Sequence, residues 1–252
     1  MNLILFASAE YDPATALASL PPRDPRAIHL HKVLHVRAGI PFRAGLLDGP
    51  SGTAAPLTDA PPSDGSPWRF RCEFSTPLAP LPPIDILLAM PRPKVLPRLL
   101  EDLAALSFGT LWLLHARKTR AAYATAHQLD PDALHSALVA GLQQSRRTRL
   151  PALHILPDLT PDALPLPTYA LRLLATPAPA PSLPLLDSIR RLPPSARLLL
   201  AIGPEPGWTP DEETLLLRHS FTPFSLGPAP LRTHPAAIAL LSALHLAHPA
   251  SP

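Results

Sequence analysis

Cysteine is nearly absent from this 252-residue chain: Cys72 stands alone, which excludes an intrachain disulfide and a thiolate metal cluster and fits a reducing compartment. Lysine is almost as scarce. Only Lys32, Lys94 and Lys118 occur, and arginine supplies the rest of the 22 basic residues. The longest apolar helix pattern, Ala236 to Ala247, falls short of the ~20 residues that a membrane span needs. No basic region precedes the short apolar run Leu3 to Ala7, and Glu10 and Asp12 follow it closely, unlike a secretory signal. These absences predict a soluble, cytoplasmic protein with no membrane partner and no metal.

What is abundant is proline. The 38 prolines would suit a disordered chain, but they punctuate apolar segments and do not form a low-complexity tract. With 46% hydrophobic and 16% charged residues, the composition is that of a folded protein long enough for two modest domains. The net charge of +3 and a pI near 9.4 permit RNA binding without demanding it.

The pattern changes once along the chain. Up to about residue 76 it reads as short strands with tight turns: a loose alternation from Pro41 to Leu47, a hairpin signal at Asp48-Gly49, a polar loop from Ala54 to Pro67, and a clean alternation from Trp68 to Phe74. This predicts a small barrel over 1–76. After a proline-rich join from Pro77 to Pro83, apolar strands alternate with helices: Ile84 to Met90, a helix striped by Val95, Leu99, Leu103 and Leu106, Leu111 to Leu114, and a helix striped by Leu134, Ala137, Leu138 and Leu142. Further strands are predicted at Leu153–Leu156, Tyr169–Ala175, Leu198–Ile202 and Phe221–Leu226. That alternation implies an α/β domain over 77–252 with a mostly parallel sheet.

Two segments near the end share one design. GPEPG at 203–207 follows an apolar strand and leads into Thr209-Pro210-Asp211-Glu212, which has the Thr N-cap, the N1 proline and the reaching Glu of a capping box. LGPAPLRT at 226–233 follows the next strand and leads to a helix expected near Pro235. Strand ends, glycine turns and helix N-termini together make a pocket of backbone N–H groups suited to a nucleotide-like ligand.

These motifs resemble the GPEGG and LGxRxLRTETA segments of the SPOUT methyltransferases, and within them the family that methylates N-3 of a uridine in small-subunit (16S) ribosomal RNA. The resemblance extends over most of the chain, through HLHKVL at 29–34 with Gly39 and Asp48-Gly49, MPRPK at 90–94, Phe108-Gly109, and QQSRRTRLP at 143–151. It implies a C-terminal trefoil-knotted SPOUT domain, an N-terminal PUA-like barrel and a homodimer. It further implies S-adenosyl-L-methionine held by three loops: Leu174, Ala175 and Thr176; then Ile202, Gly203, Pro204, Glu205 and Gly207; then Leu226, Gly227, Leu231, Thr233 and Ala236.

Small-subunit RNA, or the assembled subunit, is the implied partner. Arg232 would stabilise a developing uracil anion and His234 could accept a proton, although a helix-terminal histidine with no catalytic part is the competing reading. His29, Lys32, Arg92, Lys94, the Arg117, Lys118 and Arg120 cluster, and the Arg146, Arg147 and Arg149 cluster are the RNA-contact candidates. His31 and His35 have the i, i+4 spacing of paired metal ligands on a helix, but no third ligand accompanies them. The self-association expectation rests on the apolar C-terminal helix, with Ile238, Leu241 and Leu244 to Leu246 offered to a partner.

The chain departs from the family pattern at Pro206, which loses an N–H, at His234 and Pro235, and at Ala175-Thr176-Pro177 in the first loop. Gln143 also replaces the family's Glu. Two alternatives therefore stay open: a diverged protein that binds RNA without catalysis, and a methyltransferase acting on another RNA or a small molecule.

Overall fold

The computed structural model describes residues 3–178 and 180–248 and divides the chain into two compact units. The first comprises residues 1–80 together with 142–150, and the second 81–141 with 151–252.

In the first unit the strands are β1 (Ile4–Phe6), β2 (Tyr11–Asp12), β3 (Leu17–Leu20), β4 (Phe42–Leu46), β5 (Ser51–Pro56) and β6 (Trp68–Thr76), with helix α1 at Pro25–Lys32. They form one curled six-stranded sheet in the order β1-β4-β5-β6-β3-β2. Only β1 and β4 run parallel. The alternation of β6 is realised: Trp68, Phe70 and Cys72 point into the core while Arg69, Arg71 and Glu73 face out. Burial pushes the Cys72 thiol up to about 11.

Asp48 takes a left-handed φ of 56° to close the β4–β5 hairpin, a conformation that Asp tolerates. That turn also holds the arginine-rich segment. The Asp48 N–H donates to Thr148 O at 2.7 Å, the Leu150 N–H donates to Asp48 Oδ1, and Thr148 Oγ1 donates to Gly49 O. Two motifs a hundred residues apart in sequence thus meet, and residues 142–150 pack with the first unit for this reason.

Two expectations need correction here. Helix α1 ends at Lys32 and His35 has φ 48°, so His31 and His35 do not share a helical face. No cluster of three metal-capable side chains exists among the described residues. The polar loop is also shorter than expected, because β5 continues through Pro56.

The second unit is a six-stranded sheet, every pairing of which is parallel. Its strands are β7 (Ile84–Ala89), β8 (Thr110–Leu114), β9 (Ala152–Leu156), β10 (Leu171–Ala175), β11 (Leu198–Ile202) and β12 (Phe221–Phe224). The helices are α2 (Leu96–Leu106), α3 (Pro131–Ser145, whose last turn belongs to the first unit), α4 (Leu183–Arg190), α5 (Pro210–Arg218) and α6 (Thr233–Ala247). The order β12-β10-β11-β7-β8-β9 puts the proline-containing β12 at an edge, where Pro223 costs no ladder bond. Both β7 and β11 are buried along their whole length, as central parallel strands require.

Asp85, within β7, is buried but fully paired. It accepts hydrogen bonds from the Thr110 N–H, the Tyr169 hydroxyl and Arg197. Burial, reinforced by that bond to Asp85, raises the Tyr169 hydroxyl well above the usual phenol range.

Helix α6 packs against α2, α4 and β11. Leu241 and Leu244, expected to face a second subunit, are instead buried inside this chain, because the helix lies between neighbours. Leu246 remains 81% exposed. The strand expected to reach Leu226 ends at Phe224, and α6 begins at Thr233, two residues before Pro235.

Candidate active site

Because β12, β10 and β11 are parallel neighbours, the loops leaving their C-terminal ends lie side by side. Between them is a cavity of about 310 Å³, at the lower end of the volumes typical of small-molecule sites. Every residue that the sequence assigned to the three cofactor loops lines it: Leu174, Ala175 and Thr176 after β10; Ile202, Gly203, Pro204, Glu205 and Gly207 after β11; Leu226, Gly227, Leu231, Thr233 and Ala236 after β12.

Hydrogen bonds tie the loops into one frame. The Thr176 N–H donates to Phe224 O, the Ser182 N–H to Ser225 O, and the Thr233 hydroxyl to Gly203 O. The Ser225 hydroxyl accepts from the Gly227 N–H at 3.0 Å. Glycine is required at two of the bends, since Gly207 and Gly227 have φ of 75° and 132°. Space is tight at Gly203: a Cβ there would sit 3.0 Å from Trp208 Nε1 and 3.2 Å from Cδ1 and Cε2.

Helix α5 starts as its sequence spelled out. The Glu212 N–H donates to Thr209 Oγ1, the Thr209 N–H donates to Glu212 Oε2, and Pro210 occupies the first helical position. The buried Glu212 carboxylate also accepts the Arg117 N–H at 2.8 Å. Helix α6 lacks such a cap. Arg232 is its exposed N-cap, and Pro235 sits at the third helical position, where an N–H would have had no intrahelical partner anyway.

Of the other predicted residues, Arg232 and His234 do not line the cavity. His234 Nε2 lies 3.0 Å from Asp102 Oδ2 on α2. Pro206 is absent from this lining too, and its carbonyl accepts from Lys118 Nζ at 3.3 Å. The basic candidates fall into two groups. His29, Lys32, Arg146, Arg147 and Arg149 belong to the first unit, and Arg92, Lys94, Arg117, Lys118 and Arg120 to the second. Within the second, Arg92 pairs with Glu205 at 2.9 Å, and Lys118 Nζ also donates to Trp208 O at 2.9 Å. Both cations brace the Gly203–Trp208 loop.

Sequence reasoning missed Trp208, Glu213 and Phe224 as lining residues. The Asp211-Glu212-Glu213 run reads as ordinary first-turn acid, and only the fold shows that Glu212 turns inward while Glu213 reaches the cavity. The lining carries two carboxylates, Glu205 and Glu213, and no basic side chain. Trp208 Nε1 is buried without an acceptor among the described residues. Apolar walls, backbone donors and net negative charge suit a cationic ligand with an aromatic part.

A parallel α/β sheet with a three-loop cavity at its carboxyl edge defines a small-molecule-binding α/β enzyme class. The chain belongs to the RNA methyltransferase domain family, whose model matches residues 78–245. It is 28% identical to "Ribosomal RNA small subunit methyltransferase E" of Treponema pallidum (strain Nichols), over 95% of this chain and 88% of that protein. In fold it is similar to a Legionella pneumophila protein in complex with bound cofactor SAM, with TM-score 0.76, 24% identity and 98% of both chains covered. It is also similar to a Ribosomal RNA small subunit methyltransferase E from Neisseria gonorrhoeae bound to S-adenosyl methionine, with TM-score 0.73, 18% identity, and 98% of this chain and 97% of that chain covered. These relatives bear out the resemblance read from the motifs.

Proposed function

We propose that this protein uses S-adenosyl-L-methionine to methylate N-3 of a uridine in small-subunit (16S) ribosomal RNA. The observation that carries the reading is the cavity: three loops, two of them turned on glycine, and no basic side chain in its lining, a match to a cationic cofactor. The family and the names of the relatives supply the substrate class. The finer architecture belongs to the same proposal: a trefoil-knotted SPOUT domain over 77–252, a PUA-like barrel over 1–76, RNA contacts at His29, Lys32 and the Arg146 to Arg149 cluster, a homodimer, and a cytoplasmic location.

Bound in the cavity, the cofactor supplies an electrophilic methyl group on a sulfonium sulfur. The chain's own residues account for the rest. The Leu174–Thr176, Ile202–Gly207 and Leu226–Ala236 loops would hold the cofactor by backbone groups, while Glu205 and Glu213 provide negative charge that favours binding of the cationic cofactor. The uracil imide proton must leave for N-3 to attack. Arg232, exposed at the start of α6 and next to lining residues Leu231 and Thr233, is the cation this reading assigns to the developing uracil anion. His234 is assigned a structural part, tying α6 to α2 through Asp102. Pro206 leaves the cofactor side of its loop unaltered because it lies on the other face.

The test is methyl transfer from labelled S-adenosyl-L-methionine to small-subunit particles lacking the modification, followed by nucleoside mass spectrometry. Label in 3-methyluridine supports the reading. Label in another nucleoside, or none, refutes it.

A further inference from the structure

Behind the Gly203–Trp208 loop lies a second, smaller cavity of about 120 Å³. Pro204 and Glu205 line both cavities, whereas Gly207 and Trp208 line only the larger and Pro206 only the smaller. One loop therefore serves as a shared wall, and the two sides differ in charge. The larger cavity has carboxylates and no cation. The smaller has Arg92, Lys118 and Arg120 against the single carboxylate Glu205, which is already engaged by Arg92.

These three cations are not equally occupied. Lys118 spends its hydrogen bonds on the Pro206 and Trp208 carbonyls but keeps its charge. The Arg120 guanidinium is exposed and makes no hydrogen bond or ion pair with any described residue. Tyr123 adds a half-buried phenol. Two guanidinium forks, an ammonium and a phenol form the donor set of a phosphate group. The volume accepts such a group but is well below that of a site for a whole nucleotide.

We infer that this cavity seats a phosphodiester of the RNA strand, with the nucleosides on either side lying outside it. The inference rests on the RNA-methylation reading and deepens it. The strand is then held against the outer face of the loop whose inner face holds the cofactor. Arg92, shared between Glu205 and the phosphate, links the two.

The experiment is fluorescence anisotropy with a short labelled single-stranded RNA containing uridine, over a range of salt concentrations, using full-length protein. Arg120→Ala is expected to weaken binding about three- to tenfold at moderate salt and to lower the slope of log affinity against log salt by about 0.7, the value for one phosphate contact on a single strand. Tyr123→Phe should weaken binding with the slope unchanged. Arg190→Ala, an exposed arginine on α4, should do neither. Calorimetry with S-adenosylhomocysteine should give wild-type affinity for Arg120→Ala and Tyr123→Phe.

RNA affinity and salt slope of Arg120→Ala equal to those of Arg190→Ala overturn the assignment. A separate titration with inorganic phosphate at matched ionic strength distinguishes the sources. Saturable phosphate binding that Arg120→Ala abolishes, without any change in RNA affinity, makes this a free-phosphate site and also overturns it. Wild-type protein that binds RNA through Arg120 but transfers no methyl group sinks the proposed function and leaves the seat standing. Wild-type protein that methylates RNA while Arg120→Ala binds it normally does the reverse. Wild-type protein with no RNA affinity defeats both.

Discussion

Adding one methyl group at Gly203 tests the cavity with the smallest perturbation the chain allows. Gly203 has no left-handed φ, so Gly203→Ala brings no backbone strain of that kind. Its cost is contact. The new Cβ would stand 3.0 Å from Trp208 Nε1 and 3.2 Å from two further ring atoms, a few tenths of an ångström too close. The indole must move, and Trp208 lines the cavity and presents its backbone oxygen to Lys118. Overpacking of this kind costs about 1–3 kcal/mol. If half of that falls on the loop's ligand-ready conformation, affinity for S-adenosylmethionine drops about three- to tenfold. The rest appears as a melting-temperature loss of about 2–4 °C per kcal/mol. Equilibrium dialysis with labelled cofactor and a thermal melt read the two parts. Wild-type affinity together with a wild-type melting temperature would show that the indole has room to spare and that the loop is not packed this tightly.

Further outcomes follow from other parts of the molecule. Thr209→Ala removes the α5 cap and should cost about 1 kcal/mol in a denaturant titration, with m unchanged. Tyr169→Phe removes a buried 2.8 Å hydrogen bond to Asp85 and should cost about 1–3 kcal/mol, while Asp85→Asn should cost more because Arg197 loses its carboxylate. Cys72 has its thiol raised from 9.0 to about 11, so the folded state holds that proton more tightly than the unfolded state does. The contribution is complete below pH 9 and is lost as pH rises through about 11; it amounts to roughly 2–3 kcal/mol. Cys72→Ala should flatten stability over that window, and an equally steep decline in the variant would show that another group is responsible. His234→Ala should lower stability through the lost Asp102 contact while leaving cofactor affinity within about twofold, which calorimetry would check.

Much of this was legible because local chemistry and fold agree. The Thr209-Pro210-Asp211-Glu212 start needs only its own backbone to form, so it reads directly from sequence. Two of the cofactor loops were legible because each carries a glycine turn between an apolar strand and a helix start, whereas the loop at Leu174–Thr176 came only from the family resemblance. Their convergence depends on β12, β10 and β11 being adjacent, which periodicity does not determine. Glu213 was missed because first-turn acids are common for dipole reasons, and only the fold separates it from Glu212. The attachment of residues 142–150 to the Asp48 turn is equally non-local, resting on bonds across a hundred residues. His35 misled because spacing was read as helix beyond the point where α1 stops. Leu241 and Leu244 misled because an apolar helix reads alike whether its neighbours belong to the same chain or to another.

Calorimetric titration of the wild-type protein with S-adenosylhomocysteine asks only whether the three-loop cavity holds this cofactor's frame. Saturable binding at one site per chain with micromolar-range affinity, roughly −8 kcal/mol, is expected. No detectable heat at two well-separated temperatures, from protein that melts cooperatively, would contradict it.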